Sequence, residues 1–300
     1  MILPPSLKKG DKIAIVSPAS PINPDYVDGA CKMFRQWGFV PVVSEHCKGE
    51  KGTYSGSVEE RVADLKQAFA DKDVKAILCS RGGYGTAHLL EYLPSELIQS
   101  NPKWVIGFSD ISALHAMMSA NGICSIHASM AKQLTLFPAD NPQNEVLLRV
   151  LTGSMPEYEI APHPFNRIGS ARAKINGGNM AVSCGLLATP FDMMTAAKVL
   201  FIEDVGEPIY KIERMLYNLR LEGVLPKLYG LIVGQFTELK EPDGNGDTMY
   251  DMIHRMVQPY QFPVAFGFPI GHVDENIPII EGALVDFKVT EKGASLKFLK

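Results

Sequence analysis

The first half of the chain alternates short, continuous apolar runs with stretches whose apolar positions recur at helical spacing. "KIAIVSP" reads as a buried strand ending at Pro18. Between Pro24 and Trp37, the residues Val27, Cys31 and Phe34 mark one face of a helix. "GFVPVVSE" supplies a second strand, and "SVEERVADLKQAFAD" a second helix with Ser57 as N-cap and Glu60 completing a capping box. "VKAILCS" and "KWVIGFS" are two more apolar runs, each stopped by polar or glycine residues. "ISALHAMMSANG" sets Ile111, Leu114, His115 and Met118 on one helical face, closed by Asn121-Gly122. Nearly continuous apolar strands that alternate with helices predict a parallel sheet covered on both faces.

The rhythm loosens between Leu134 and Arg172, where "FPADNPQ" and "MPEYEIAPHPF" are rich in proline. The second half then changes character. "KVLFIEDVGEP" predicts a strand and turn, and "YKIERMLYNLRLEG" a helix burying Ile212, Met215, Leu216 and Leu219. "LYGLIVGQF" predicts a buried strand and "TMYDMIHRMV" a further helix, while "GALVDFKVTEKGASLKFL" alternates as antiparallel strands do. The fold class is therefore α/β, with two domains: residues 1–135, a linker region over 136–172, and residues 173–300.

Composition narrows the function. With 46% apolar and 21% charged residues, the 300-residue chain is that of an ordinary globular protein. A net charge of −4, with no basic run, argues against a nucleic-acid partner. The N-terminus lacks the charge order and long apolar core of a secretory signal, and no apolar run approaches the roughly 18 residues that span a bilayer. A cytoplasmic location with no membrane partner is the expectation. The five cysteines are scattered, without a C-x-x-C pair, so they give no metal signature and fit a reducing compartment.

In an open parallel sheet, ligands bind at the carboxyl ends of the strands. "CSRGGYGTAH" after one strand and "GFSDIS" after the next lie about 25 residues apart, the spacing of a βαβ unit. In "GFSD", Ser109 sits at a strand–turn–helix junction. It reads either as a nucleophile on a sharp elbow or as part of a helix cap, because the second glycine of the hydrolase elbow is absent. "RGGYG" matches neither phosphate-loop pattern; it reads as a source of oxyanion donors or as a plain glycine turn. Among the seven histidines, His115 reads as a core residue, and His163 and His254 as surface positions. His127 and His272 remain the candidates for a base. "FIEDVGEP" offers Glu203, Asp204 and Glu207 as the acid, with Glu203 and Asp204 on opposite strand faces. "INGGNMA" is a glycine turn open to tight packing or ligand approach.

Taken in order, "GDKIAIVSPAS", "EERVADLKQAFADKDVKAILCSRGGYGTAHLL", "IGFSDISALH", "INGGNMA", "LFIEDVGEPIYKIERML" and "GFPIGHVDENIPI" resemble the LD-carboxypeptidase family of serine peptidases. That family includes muramoyltetrapeptide carboxypeptidase and the microcin C self-immunity peptidase. The resemblance implies a flavodoxin-like N-terminal domain and a smaller, mixed α+β C-terminal domain. It implies Ser109 as nucleophile, Glu203 as acid and His272 as base, with backbone amides of Gly83 and Asp110 as oxyanion donors. It further implies release of the terminal D-alanine from a murein tetrapeptide or related small peptide, no cofactor or metal, and a homodimer. Two alternatives stay open: an aminoacyl-nucleotide amide as substrate, or a non-catalytic binding protein on the same scaffold. One departure is His127-Ala128-Ser129, where the family often reads His-Gly-Pro; it leaves the triad intact and alters a wall of the pocket.

Overall fold

A computed structural model describes residues 1–239 and 246–300. The chain begins with β1 (Lys12–Val16), α1 (Pro24–Gln36), β2 (Val40–Val43), α2 (Val58–Ala70) and β3 (Val74–Cys79). It continues through α3 (Ser95–Ser100), β4 (Trp104–Gly107), α4 (Ser112–Ala120), β5 (Ser125–His127), α5 (Ala131–Leu136) and α6 (Pro142–Leu151). Then come β6 (Glu157–Ile160), β7 (Gly169–Asn179), α7 (Met180–Cys184), β8 (Val199–Val205), α8 (Ile209–Leu221), β9 (Gly230–Thr237), α9 (Met249–Val257) and β10 (Val264–Phe266). The last strands are β11 (Ile279–Glu281), β12 (Leu284–Thr290) and β13 (Gly293–Phe298).

These elements form two compact units. The first comprises Met1–Ser154 with Ile277–Gly282, and the second Met155–Asn276 with Ala283–Lys300. The sheet of the first unit runs β2-β1-β3-β4-β5-β11, parallel except for the antiparallel β11 on β5. The order 2-1-3-4-5 is that of flavodoxin-like sheets, in which the direction of winding reverses between β1 and β3. Ile13, Ile15, Ile77, Leu78, Val105 and Ile106 are fully buried, which is why these strands read as nearly continuous apolar runs. The capping box of α2 is present: Ser57 Oγ accepts from Glu60 N at 3.2 Å, and Ser57 N donates to Glu60 Oε2 at 2.6 Å. Asn121 and Gly122, the latter at φ 73°, close α4.

In the second unit the sheet runs β10-β9-β8-β7-β12-β13-β6. Its β7 to β10 half is parallel and its β7-β12-β13-β6 half antiparallel, so β7 joins two styles of pairing. Leu200, Ile202, Leu231 and Val233 pack with Ile212, Leu216 and Leu219 of α8 and with Met252, Ile253 and Met256 of α9. Met215, expected in the buried stripe of α8, lies partly buried at its margin.

Residues 136–172, expected on proline content to be a linker, contain α6 and β6. Pro142 falls in the first turn of α6, where its missing N–H costs nothing, and Asn141 caps the turn by accepting from Gln143 N at 3.2 Å. β6 is an edge strand, which tolerates prolines beside it. Proline thus marks element ends here. Among the described residues, no helix is long and apolar enough to cross a membrane.

Candidate active site

The buried strand β4 delivers the chain to Phe108 in extended conformation, and Ser109 then turns at φ 67°. A positive φ costs a side-chain-bearing residue about 1–3 kcal/mol, so the surrounding structure holds it in place. Gly107 explains part of the hold: a Cβ there would lie 2.9 Å from the Ile111 side chain, which folds back over the turn. Residues Ser109–Ile111 make one tight turn and lead directly into α4. The elbow geometry forms without the second glycine of the hydrolase pattern.

The "RGGYG" loop after β3 lies against this elbow. A Cβ on Gly82 would sit 2.9 Å from Ser109 Cβ, 3.1 Å from its Oγ and 3.3 Å from Asp110 N, so only glycine fits. Gly83 follows at φ 117°. Ser20 engages the loop on either side of Gly83, donating from its N to Gly82 O at 3.3 Å and accepting at Oγ from Tyr84 N at 3.3 Å. Asp110 is 4% exposed, and its Oδ2 accepts from Thr86 N at 2.9 Å. Arg61, not among the candidate residues of the sequence, is 2% exposed and donates from Nη1 to Gly85 O at 3.0 Å. Its signal lay in the sequence only as an arginine on the inner side of α2.

In the second unit, Glu203 on β8 is completely buried, and its Oε2 accepts from His272 Nδ1 at 2.8 Å. That bond fixes the tautomer that leaves Nε2 as the basic nitrogen. Burial pushes the His272 pKa down, but the hydrogen bond and charge of Glu203, helped by Asp204 and Glu238, outweigh it and raise the value above the ordinary 6.5. The His272 loop is shaped by two glycines. A Cβ on Gly271 (φ 119°) would lie 2.6 Å from Glu203 Oε2, and one on Gly234 would lie 2.8 Å from Ile270 O. Gly271 N donates to Oδ1 of the buried Asn276 at 2.9 Å, which closes the loop. Gly234, Gly271 and Asn276 were not among the candidate residues of the sequence, although "GFPIGHVDEN" shows a glycine beside the histidine.

The other candidates find different places. Asp204 points to the face opposite Glu203; it accepts from Asn179 Nδ2 at 2.9 Å, Ala181 N at 2.8 Å and Val205 N at 2.8 Å. Burial raises its pKa to about 6 against those bonds. Glu207 pairs with Lys211 one turn along, at 3.1 Å. His127 is fully buried on β5, with its ring 5.8 Å from that of Phe108 and 6.4 Å from that of His115. His115 is fully buried and holds Gly107 O at 2.9 Å and Ser125 Oγ at 2.8 Å, its pKa pushed down to about 4 by burial. His163 and His254, expected on the surface, are instead partly buried and join Phe165 and Tyr250 in an aromatic cluster around the fully buried Phe266. In "INGGNMA", a Cβ on Gly177 would collide with Phe201 O, so tight packing against β8 explains that glycine. Among the described residues no group of three or more His, Cys, Asp or Glu is arranged to hold a metal.

Comparison with known proteins places these features in context. Residues 13–128 match the LD-carboxypeptidase N-terminal domain, and residues 172–287 the LD-carboxypeptidase C-terminal domain. A probable murein peptide carboxypeptidase of Bacillus subtilis is 30% identical, covering 98% of this chain and 94% of its own. The murein tetrapeptide carboxypeptidase of Pseudomonas aeruginosa is 30% identical over 88% of this chain and 89% of its own. Among solved structures, an MccF-like protein from Bacillus anthracis superposes with a TM-score of 0.87 at 25% identity, covering 100% of both chains. Both halves of the chain match, in order and over nearly the full length of these relatives, and the chain belongs to the LD-carboxypeptidase family of peptidases.

Proposed function

We propose that this peptidase cleaves the bond between an L-centre and a terminal D-residue, releasing D-alanine from murein tetrapeptides in peptidoglycan recycling. The observation that carries the reading is Ser109, held at φ 67° against the Gly82 loop in a chain of this family. The name of the Pseudomonas aeruginosa relative supports the substrate class. In this reading the first unit bears the nucleophile, and the second bears the acid and base. His272 Nε2 takes the Ser109 hydroxyl proton as Oγ attacks the scissile carbonyl, and Glu203 stabilises the imidazolium through Nδ1. Backbone amides of Gly83 and Asp110 serve as donors to the oxyanion. Collapse of the tetrahedral intermediate breaks the C–N bond, and His272 returns the proton to the D-alanine amine. Water, deprotonated by the same imidazole, then hydrolyses the ester and regenerates Ser109. The family resemblance extends the proposal to a homodimer, and the proposal keeps the cytoplasmic location expected from the sequence.

A second reading, hydrolysis of an aminoacyl-nucleotide amide, is favoured by the likeness to the MccF-like structure, the microcin C7 self immunity protein MccF having been solved in complex with aspartyl sulfamoyl adenosine. The test is incubation with a murein tetrapeptide and with an aminoacyl-nucleotide, followed by mass spectrometry of the products. We expect D-alanine from the first substrate, and a drop of at least about 10⁴-fold in kcat for Ser109→Ala. Cleavage of the nucleotide conjugate alone would transfer the assignment to the second reading. Undiminished D-alanine release by Ser109→Ala would remove the nucleophile.

A further inference from the structure

The loop proposed to supply an oxyanion donor is intrinsically loose. It contains Gly82, Gly83 and Gly85, the last two at φ 117° and 112°, and glycine loses more backbone freedom on ordering than any other residue. Donor amides work only when held to within roughly half an ångström of the developing charge. Something in the first unit therefore restrains this loop.

Ser20 holds the loop on either side of Gly83, and a second restraint falls on a single peptide group further along. The Gly85 carbonyl accepts from Arg61 Nη1 at 3.0 Å, and the Thr86 N–H at the other end of the same peptide bond donates to Asp110 Oδ2 at 2.9 Å. The negative end of the peptide dipole thus faces a cation and the positive end an anion. Both hydrogen bonds are charge-assisted, the class roughly twice as strong as neutral ones. Arg61 and Asp110 are 2% and 4% exposed, so water competes little for either bond. Arg61 is itself pinned, with Nη1 on Pro18 O at 2.7 Å, Nε on Gly56 O at 3.2 Å and on Ser57 O at 3.3 Å, and its guanidinium 5.0 Å from the centre of the Tyr54 ring. Gly85 has no room to change: a Cβ there would lie 2.9 Å from Tyr54 ring atoms and 3.0 Å from Arg61 Nη1. At the other end, Asp110 directly follows Ser109 in the chain, so the anion holding the loop is rigidly tied to the elbow.

We propose that Arg61 and the Asp110 carboxylate are positioning residues, an ionic clamp on the Gly85–Thr86 peptide that fixes the glycine loop in register with Ser109. The proposal rests on the peptidase reading above and adds two side chains that touch neither substrate nor reacting atoms. Asp110 then has two separable duties, with its backbone N–H as a donor and its carboxylate as the anchor of the other donor's loop.

The test uses the full chain with Asp110→Ala, Asp110→Asn and Arg61→Lys, each checked for a native-like circular dichroism spectrum and a cooperative melt. Three quantities are read: kcat and KM for D-alanine release, the rate at which a fluorophosphonate labels Ser109, and hydrogen exchange at the Thr86 amide. Asp110→Ala is expected to lower kcat and the labelling rate by about 100-fold, with KM changed by less than about threefold, as for loss of one oxyanion donor. Asp110→Asn keeps an acceptor for Thr86 N–H and is expected to recover at least about tenfold of that loss. Arg61→Lys keeps the charge but not the fork of donors, and it should lower kcat by roughly tenfold. Thr86 exchange should accelerate in the order wild type, Asp110→Asn, Asp110→Ala. Wild-type kcat or wild-type Thr86 exchange in a folded Asp110→Ala protein would overturn the clamp. Should Asp110→Ala not fold, wild-type values of both in Asp110→Asn and Arg61→Lys overturn it instead. A wild-type protein that neither releases D-alanine nor is labelled would remove the peptidase mechanism, and Thr86 exchange alone would then decide the clamp.

Discussion

Desolvation alone would drive the His272 imidazole toward its neutral form, because a buried ring loses the water that stabilises its charge. Glu203 reverses the balance through its hydrogen bond and its charge, with Asp204 and Glu238 adding to the pull, and the net pKa lies above the ordinary 6.5. The same shift acts in opposite directions on activity and stability. A general base works only when unprotonated, so kcat/KM should fall as pH drops through the raised value, and the acidic limb should lie above pH 6.5. Because the folded-state pKa exceeds the unfolded one, the pair's stabilisation is complete below the unfolded pKa and is lost as pH rises through the folded value. Glu203→Gln removes the charge that raises the pKa. The acidic limb of its pH–rate profile should therefore move to lower pH, and kcat should fall by at least about 100-fold through loss of imidazolium stabilisation. An acidic limb that stays at the wild-type pH in Glu203→Gln would show that Glu203 does not set the protonation of His272.

Elements carry these residues to their places, and two glycines near the His272 loop separate conformation from contact. Gly271 and Gly267 both have positive φ, 119° and 84°. A Cβ on Gly267 would meet nothing within 4 Å, whereas one on Gly271 would strike Glu203 at Oε2 and at Cβ, 2.6 and 2.9 Å away. Gly267→Ala should lower stability by about 1–2 kcal/mol and leave kcat within about threefold of wild type, since it adds only backbone strain. Gly271→Ala adds a collision with the group that orients the base, and kcat should fall more than about tenfold beyond the effect of Gly267→Ala. Parallel melts and steady-state kinetics on the two variants make the comparison; equal kcat values would show that the loop absorbs the extra methyl. At this scale most of the first unit was legible, because strands buried on both faces are almost wholly apolar, as β4 is throughout and β3 is apart from Lys75. The sharp elbow at Ser109 was legible as a position but not as a conformation, since no residue pattern announces a serine at φ 67°. The helix α6 and strand β6 were hidden because proline marks loops and helix starts alike. Arg61 was hidden for another reason: its spacing places it on the inner side of α2, but only the tertiary fold brings carbonyls to it.

At the level of the whole chain, the first unit is discontinuous, and its stability depends on a strand encoded far from the rest. The three-residue strand β11 pairs with β5 through Ile279↔His127, Ile280↔Ile126 and Glu281↔Ser125. A run so short has no periodicity to read, and its partner lies about 150 residues earlier, so its place in the sheet could not be foreseen. Ile279 and Ile280 are fully buried and Glu281 is 1% exposed, with Oε1 3.9 Å from Nε2 of His115. Burial of two isoleucines contributes roughly 3–6 kcal/mol, a large share of the 5–15 kcal/mol by which domains are stable. Removing β11 also bares the edge of β5, a row of unpaired amides and carbonyls that invites association. A fragment of residues 1–154 should therefore melt without a cooperative transition or elute as aggregate. The same fragment carrying residues 277–282 on a flexible C-terminal linker should elute as a smaller species and melt cooperatively, because the tethered strand restores both the pairing and the burial. Size-exclusion chromatography and thermal circular dichroism on the two proteins provide the test. If the shorter fragment matched the longer one in both, β11 would be an accessory to the sheet, and the buried contacts of Ile279 and Ile280 would contribute far less than their area implies.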